Sequence, residues 1–296
     1  MAGYNNDYSI IPGHRISQLS KEGRGPKAIK AYGQHFLNDQ DVLDKIVEAS
    51  HLSGEDTVVE IGPGRGALTT CLSERSGKVL AFEIDSRMVE HLNSMFREND
   101  NVVIYHEDVL KTDLNSVIQE ICPNDYSGVK LVANIPYYIT TPILEWAFRF
   151  QHLFDSAVIM VQSEVAKKIV AKPSTPEYGV LSLKSQYIAD VEIVTEVPKS
   201  CFDPAPEVDS AVVRFDMKHR DNGEREMFFE FVEASFKQRR KNLRNSLKSS
   251  SLFNGDADVV SDVIDKSGID GSRRAESLSL EEFLAFFESY KLVCDR

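Results

Sequence analysis

The stretch Val58-Val59-Glu60-Ile61-Gly62-Pro63-Gly64-Arg65-Gly66-Ala67 joins an apolar run to a glycine-rich turn and then to an amphipathic segment. A short apolar run bounded by turn residues reads as a buried strand. Glycines placed directly after it let the backbone bend sharply and approach a ligand closely, while the helix that follows points its first amides at the turn. Strand, glycine turn and helix form the unit from which open parallel sheets are built.

The same alternation extends outward from this stretch, from residue 39 to residue 161. Strand-like runs at 57–61, 79–84, 102–106, 129–133 and 157–161 interleave with helix-like segments at 42–50, 67–74, 87–96, 114–121 and 142–150. Such alternation predicts an α/β fold, a parallel sheet with helices on both faces. Helices are expected at 162–171 and 178–187, followed by strands at 191–197 and 208–215 separated by Pro198, Pro204 and Pro206. Beyond a polar break at 218–223 the pattern is helical only, at 225–236, 239–249, 257–266 and 280–290. The chain therefore divides into a flexible arm (1–31), a sheet domain (32–219) and a smaller all-α domain (220–296).

At 42% hydrophobic and 27% charged, the 296 residues suit a soluble globular protein rather than a membrane or disordered one. No apolar run is long enough to span a bilayer, and the first thirty residues lack the apolar core of a secretory signal. Cys71, Cys122, Cys201 and Cys294 form no C-x-x-C pair, which disfavours a zinc site or a disulfide framework and points to a reducing cytoplasm. The net charge of −12 at first argues against a nucleic-acid partner. The window 235–250, however, holds Lys237, Arg239, Arg240, Lys241, Arg244 and Lys248 with no acid, so it carries +6 and the rest −18. Phosphate attraction is local, screened within about 8 Å at physiological salt, so an acidic body with a concentrated basic strip can still bind RNA.

The glycine turn fits a dinucleotide fingerprint, with Glu83 about 20 residues downstream where a ribose-binding acid is expected. On those residues alone NAD and S-adenosylmethionine are equal candidates. Glu60, just before the glycines, would repel a pyrophosphate but suits a cationic methionine moiety. Asp108 follows the third strand and can accept from an adenine amino group, and Asn134 follows the fourth. Polar groups at the carboxyl ends of four successive strands mark the edge where ligands bind, and packing does not explain them.

Asn134-Ile135-Pro136-Tyr137 is the second informative stretch. Asn-X-Pro also occurs as a plain turn. After an apolar strand, though, an amide oxygen and a backbone carbonyl can accept hydrogen bonds from an exocyclic amine while the Tyr ring stacks on the base.

With these residues in place the chain resembles the KsgA-type small-subunit rRNA adenine-N6 dimethyltransferases, from about residue 32 to residue 290. The resemblance is carried by Gly33-Gln34-His35-Phe36-Leu37-Asn38-Asp39, Glu60-Ile61-Gly62-Pro63-Gly64 and Asn134-Ile135-Pro136-Tyr137. It is carried equally by Phe202-Asp203-Pro204-Ala205-Pro206-Glu207-Val208-Asp209-Ser210-Ala211 and Gln238-Arg239-Arg240-Lys241-Asn242-Leu243-Arg244-Asn245-Ser246-Leu247. It implies a Rossmann-like class I methyltransferase domain followed by a helical RNA-binding domain. S-adenosylmethionine would be held by His35, Leu37, Gly62, Glu83, Asp108 and Asn134. The departure is His35, where many relatives carry Asn. Asn134 and Pro136 would accept from the target amine, with Tyr137 and Phe202 on the two faces of the base and no metal required. Lys237, Arg239, Arg240, Lys241 and Arg244 would bind RNA.

The implied substrate is a pair of adjacent adenines in a hairpin near the 3′ end of small-subunit rRNA, within a pre-30S particle, modified by a monomer. Resistance methyltransferases of large-subunit RNA share the cofactor motifs, but segment 238–247 points away from them. A non-catalytic assembly factor on the same fold is a third reading, against which stands the intact set of Gly62, Glu83, Asp108 and Asn134.

Overall fold

The computed structural model describes residues 25–29, 32–121, 128–218 and 223–294. Its centre is a seven-stranded sheet of β2 (Thr57–Ile61), β3 (Lys78–Glu83), β4 (Val102–His106), β5 (Val129–Asn134), β6 (Ser156–Gln162), β7 (Ala189–Val197) and β9 (Ser210–Met217), in the order β4-β3-β2-β5-β6-β9-β7. The first five pair in parallel, and β9 and β7 join antiparallel. Successive side chains point to opposite faces, as the pleat requires. Val58, Val79 and Ala81 thus pack on one face with α1 (Gln40–Ala49) and α2 (Ala67–Ser73), and Val59, Leu80 and Phe82 on the other with α4 (Leu114–Ile121) and α5 (Thr140–Arg149). Burial on both faces is why these strands read as continuous apolar runs. Fully buried side chains such as Leu43 and Leu72 contribute about 1.5–3 kcal/mol each.

Helix starts follow local chemistry. Asp39 caps α1 by accepting from the Val42 amide at 3.1 Å, and Asp85 caps α3 (Ser86–Met95) through the Arg87 amide at 3.1 Å. After β6 come α6 (Ser163–Ile169) and α7 (Val180–Ile188), which lead into β7. The C-terminal helices are α8 (Arg225–Phe236), α9 (Leu243–Lys248), α10 (Ala257–Ser267) and α11 (Leu280–Cys294). Their aromatics form a cluster in which Phe231 meets Phe286 edge-on at 5.0 Å, and Phe228 stacks on Tyr187 of α7 at 4.5 Å. The cluster is continuous with the core on one face of the sheet.

Two features depart from the sequence reading. A helix over 239–249 is expected, but α9 begins at Leu243, because Asn242 leaves the helical conformation and caps it by accepting from the Asn245 amide at 3.0 Å. A small antiparallel pair, β1 (Phe36–Leu37) with β8 (Phe202–Asp203), has no counterpart in the periodicity. The expected arm over 1–31 lies outside the described residues except at 25–29, where Arg65 Nε donates to the Pro26 carbonyl at 3.3 Å and Arg87 Nη1 to the Lys27 carbonyl at 3.1 Å. The expected boundary near 216–223 also lies in part outside the described residues.

Glu60 differs from expectation as well. On the parity of the pleat it shares a face with Val58, under α2, and it does not line the cofactor-sized cavity described below. Both its carboxyl oxygens and the nearby Thr69 hydroxyl are buried without a hydrogen bond of good geometry among the described residues. Burial pushes the Glu60 carboxyl up to about 8, opposed in part by Thr69 and reinforced by the charge of Glu83.

In the unfolded chain Glu60 ionises at its ordinary value, while in the folded chain it holds its proton. The ligand-free protein is therefore expected to lose stability as pH rises from 4.5 towards about 8. Glu60→Gln is expected to flatten that dependence in urea melts run across the window. Phe228→Ala is expected to cost about 3–5 kcal/mol and to lower one shared melting transition, because its ring bridges α8 to α7; two separate transitions by circular dichroism would contradict this.

Candidate active site

The strand order reverses between β2 and β5, and ligand clefts form outside the carboxyl ends of strands at such a point. A cavity of about 320 Å³ lies there, of a size that holds a cofactor. It brings together His35, Leu37, Gly62, Glu83, Asp108, Asn134, Pro136, Tyr137 and Phe202. These residues come from six separate segments of the sequence.

The glycine turn forms the floor. Gly62 has φ +72° and donates its amide to the Phe82 carbonyl at 3.0 Å. A side chain there would meet the Asn134 carbonyl at 3.4 Å as well as carry the strain of a positive φ. Glu83, at the end of β3, accepts from the Ile84 and Asp85 amides at 2.9 Å each with Oε1 and from the Gly64 amide at 3.2 Å with Oε2. Burial raises its carboxyl above the ordinary range despite these three donors. A carboxylate offers about four acceptor positions, so one remains for a ligand hydroxyl. Asp108 accepts from the Leu110 amide at 3.1 Å and pairs with Lys111 at 3.1 Å, which leaves capacity for an amino group.

The Asn134 carboxamide, half-buried at the end of β5, has no hydrogen-bond partner among the described residues. Pro136 starts the single turn 137–139, and the Tyr137 hydroxyl lies 2.6 Å from Ser210 Oγ. The His35 ring lies 5.9 Å from the Tyr137 ring at 20°, with Nδ1 2.7 Å from the Pro204 carbonyl. A carbonyl only accepts, so Nδ1 carries the proton and a neutral ring leaves Nε2 as an acceptor. Leu37 and Phe202 face each other in the β1–β8 pair, and both are buried. Phe202 is thus a wall of the cavity, and the residue is 5% exposed.

Several contributors escape a motif reading. Arg65 lies 4.1 Å from the centre of the Phe36 ring and 3.6 Å from Asp203, clasping β1 to β8. At the rim, Ile84 is 51% and Tyr138 60% exposed, large apolar surfaces beside a cavity. Each directly follows a residue that the sequence does single out, Glu83 and Tyr137, and that adjacency is the available signal.

The basic residues lie apart from this cleft, and Arg239, Arg240 and Lys241 occupy the turn between α8 and α9 rather than a helix face. Arg239 pairs with Glu276 at 3.1 Å and donates to the Pro176 carbonyl. Arg244 donates to Ser261 at 2.6 Å. Lys237, Arg240 and Lys241 are exposed and make no ion pair among the described residues. Among the described residues no group of His, Cys, Asp or Glu is placed to hold a metal, and no helix is long and apolar enough to cross a membrane.

Comparison with known proteins gives one consistent result. The chain is 42% identical over 257 residues to ribosomal RNA small subunit methyltransferase A of Clostridium acetobutylicum, covering 86% of this chain and 90% of that protein. It is 43% identical over 277 residues to the protein of the same name from Geobacillus thermodenitrificans, covering 92% and 93%. A crystal structure of a dimethyladenosine transferase from Plasmodium falciparum superposes with a TM-score of 0.75 at 25% identity, over 88% of this chain and 98% of that one. The 23S rRNA methyltransferase ErmE superposes with a TM-score of 0.64 at 26% identity, over 86% and 99%. The family model described as ribosomal RNA adenine dimethylase matches residues 25–292, and the chain belongs to that family.

Proposed function

We propose that the protein transfers methyl groups from S-adenosylmethionine to N6 of two adjacent adenines in a hairpin near the 3′ end of small-subunit rRNA, within a pre-30S particle, giving N6,N6-dimethyladenine. The observation that carries this reading is the unpartnered Asn134 carboxamide, set beside the Tyr137 ring where the strand order reverses.

The residues fit that cofactor. The glycine floor admits close backbone approach, and acids at the ends of β3 and β4 are acceptors suited to ribose hydroxyls and an adenine amine. The cation within the turn, Arg65, is directed at Phe36 and Asp203 rather than presented to a pyrophosphate. When bound, the cofactor supplies an electrophilic sulfonium methyl.

The chain's own residues address the weakness of the acceptor. The N6 lone pair of adenine is delocalised into its ring, so its attack needs the amine protons engaged and the lone pair turned to the methyl. Asn134 Oδ1 and a carbonyl at Ile135 or Pro136 are acceptors suited to those protons. Tyr137 offers a face for the ring, and the Phe202 wall bounds the cleft. The proton becomes acidic only as the methyl transfers, so positioning and electrostatics replace a strong general base.

Asn134→Ala is expected to abolish transfer while leaving the melting temperature near wild type, measured with labelled cofactor and undermethylated small subunits followed by nucleoside analysis. Wild-type turnover would remove the acceptor role. Dimethyladenine appearing in large-subunit RNA instead would reassign the substrate.

For RNA affinity the unpaired cations of the α8–α9 turn matter most. Arg240→Ala with Lys241→Ala is expected to weaken RNA binding and to reduce the slope of log K against log salt by about 1.4–1.8, roughly one released counterion per lost contact. An unchanged slope in a salt titration would make this turn a solvated surface only.

A further inference from the structure

Tyr137 stands on a single helical turn, and the backbone bond that closes it runs from the Ile139 amide to the Pro136 carbonyl at 3.1 Å. The turn runs straight into α5, which fixes the Tyr137 backbone, and a stacking platform needs a fixed ring plane as well. The nearly parallel His35 ring lies 5.9 Å away, and at the far end of the ring the hydroxyl meets Ser210 Oγ at 2.6 Å.

Ser210 is well placed to hold it. As the first residue of β9, it pairs with Gln162 of β6 on one side and Val197 of β7 on the other, and its exposure is 0%. Its carbonyl accepts from Ser163 Oγ at 3.0 Å, and that hydroxyl also reaches Glu196 Oε2 at 2.8 Å. The Ser163 amide donates to the neighbouring Asp209 carbonyl at 3.1 Å. The start of β9 is therefore pinned to two strands and to the first residue of α6.

We propose that Ser210 is a positioning residue for methyl transfer: its hydroxyl holds the Tyr137 phenol and thereby sets the plane on which the target adenine stacks. The role rests on the base-stacking reading of Tyr137 given above. It places the reference for the acceptor base in the antiparallel part of the sheet, while the donor is referred to the parallel part. Ser210 touches neither substrate nor cofactor in this scheme and acts through Tyr137 alone.

The test uses the full-length protein, labelled cofactor and undermethylated small subunits, with Ser210→Ala, Tyr137→Phe and the double variant. Each single change breaks the bond from one end, and Tyr137→Phe keeps both the ring and the buried serine should Ser210→Ala fold poorly. Each is expected to lower kcat by about ten- to a hundredfold, the scale of a small misplacement of reacting groups, with cofactor Kd by calorimetry unchanged. The double variant is expected to be no worse than either single, since both remove one interaction. Wild-type kcat in Ser210→Ala, multiplicative losses in the double variant, or a loss expressed as weaker cofactor binding would each overturn the role. A wild-type protein that makes no dimethyladenine would overturn the reading of the whole site, and the role of Ser210 with it; an active wild type with unaffected variants overturns only the latter.

Discussion

The site depends on the close approach of two backbones. β2 and β5 are parallel neighbours with Ile61 opposite Ala133, so Gly62 and Asn134 leave the sheet side by side. A Cβ on Gly62 would lie 3.4 Å from the Asn134 carbonyl and 4.0 Å from the Pro136 ring. The chain from Gly62 turns to form the floor of the cleft, and the chain from Asn134 turns into its neighbouring wall. Their separation is set by strand spacing, about 4.8 Å in any sheet, and not by the reach of a loop. Group transfer tolerates little misplacement, and this arrangement ties the two turns of the cleft to adjacent strands of one rigid element.

Much of this was legible in the sequence because it is local. The runs at 57–61, 102–106 and 114–121 are observed with the bounds that periodicity predicts. Burial on both faces writes itself as an apolar run, and a helix writes itself as a period. Gly62, Glu83, Asp108 and Asn134 were legible for a related reason: each stands where a strand ends, and in a parallel sheet those ends lie along one edge. The Asn242 cap was also local in principle, since an Asn that accepts from the amide three residues on is a recognised helix start. The cluster of cations around it masks that signal by suggesting one continuous basic helix.

Contacts between distant segments were not legible. The β1–β8 pair is two residues long on each side, too short to carry a period, and its partners are recognised only when the chain has folded. The Arg65 contacts with Phe36 and Asp203 and the bond from Tyr137 to Ser210 are of the same kind. Glu60 lies off the cavity because proximity in sequence to the glycine turn does not decide which face of the strand a side chain takes. The pleat does, and it sends Glu60 beneath α2.

The β1–β8 pair has a consequence for how the enzyme comes into being. His35 and Pro204, which meet beside it, are 169 residues apart in the chain. During translation the glycine turn, both acids and residues 134–137 emerge well before the strand that encloses them. The cleft of a nascent chain therefore lacks one wall until most of the sheet domain has left the exit tunnel. An enzyme that modifies ribosomal RNA thus closes its cleft only once the ribosome making it has added β8.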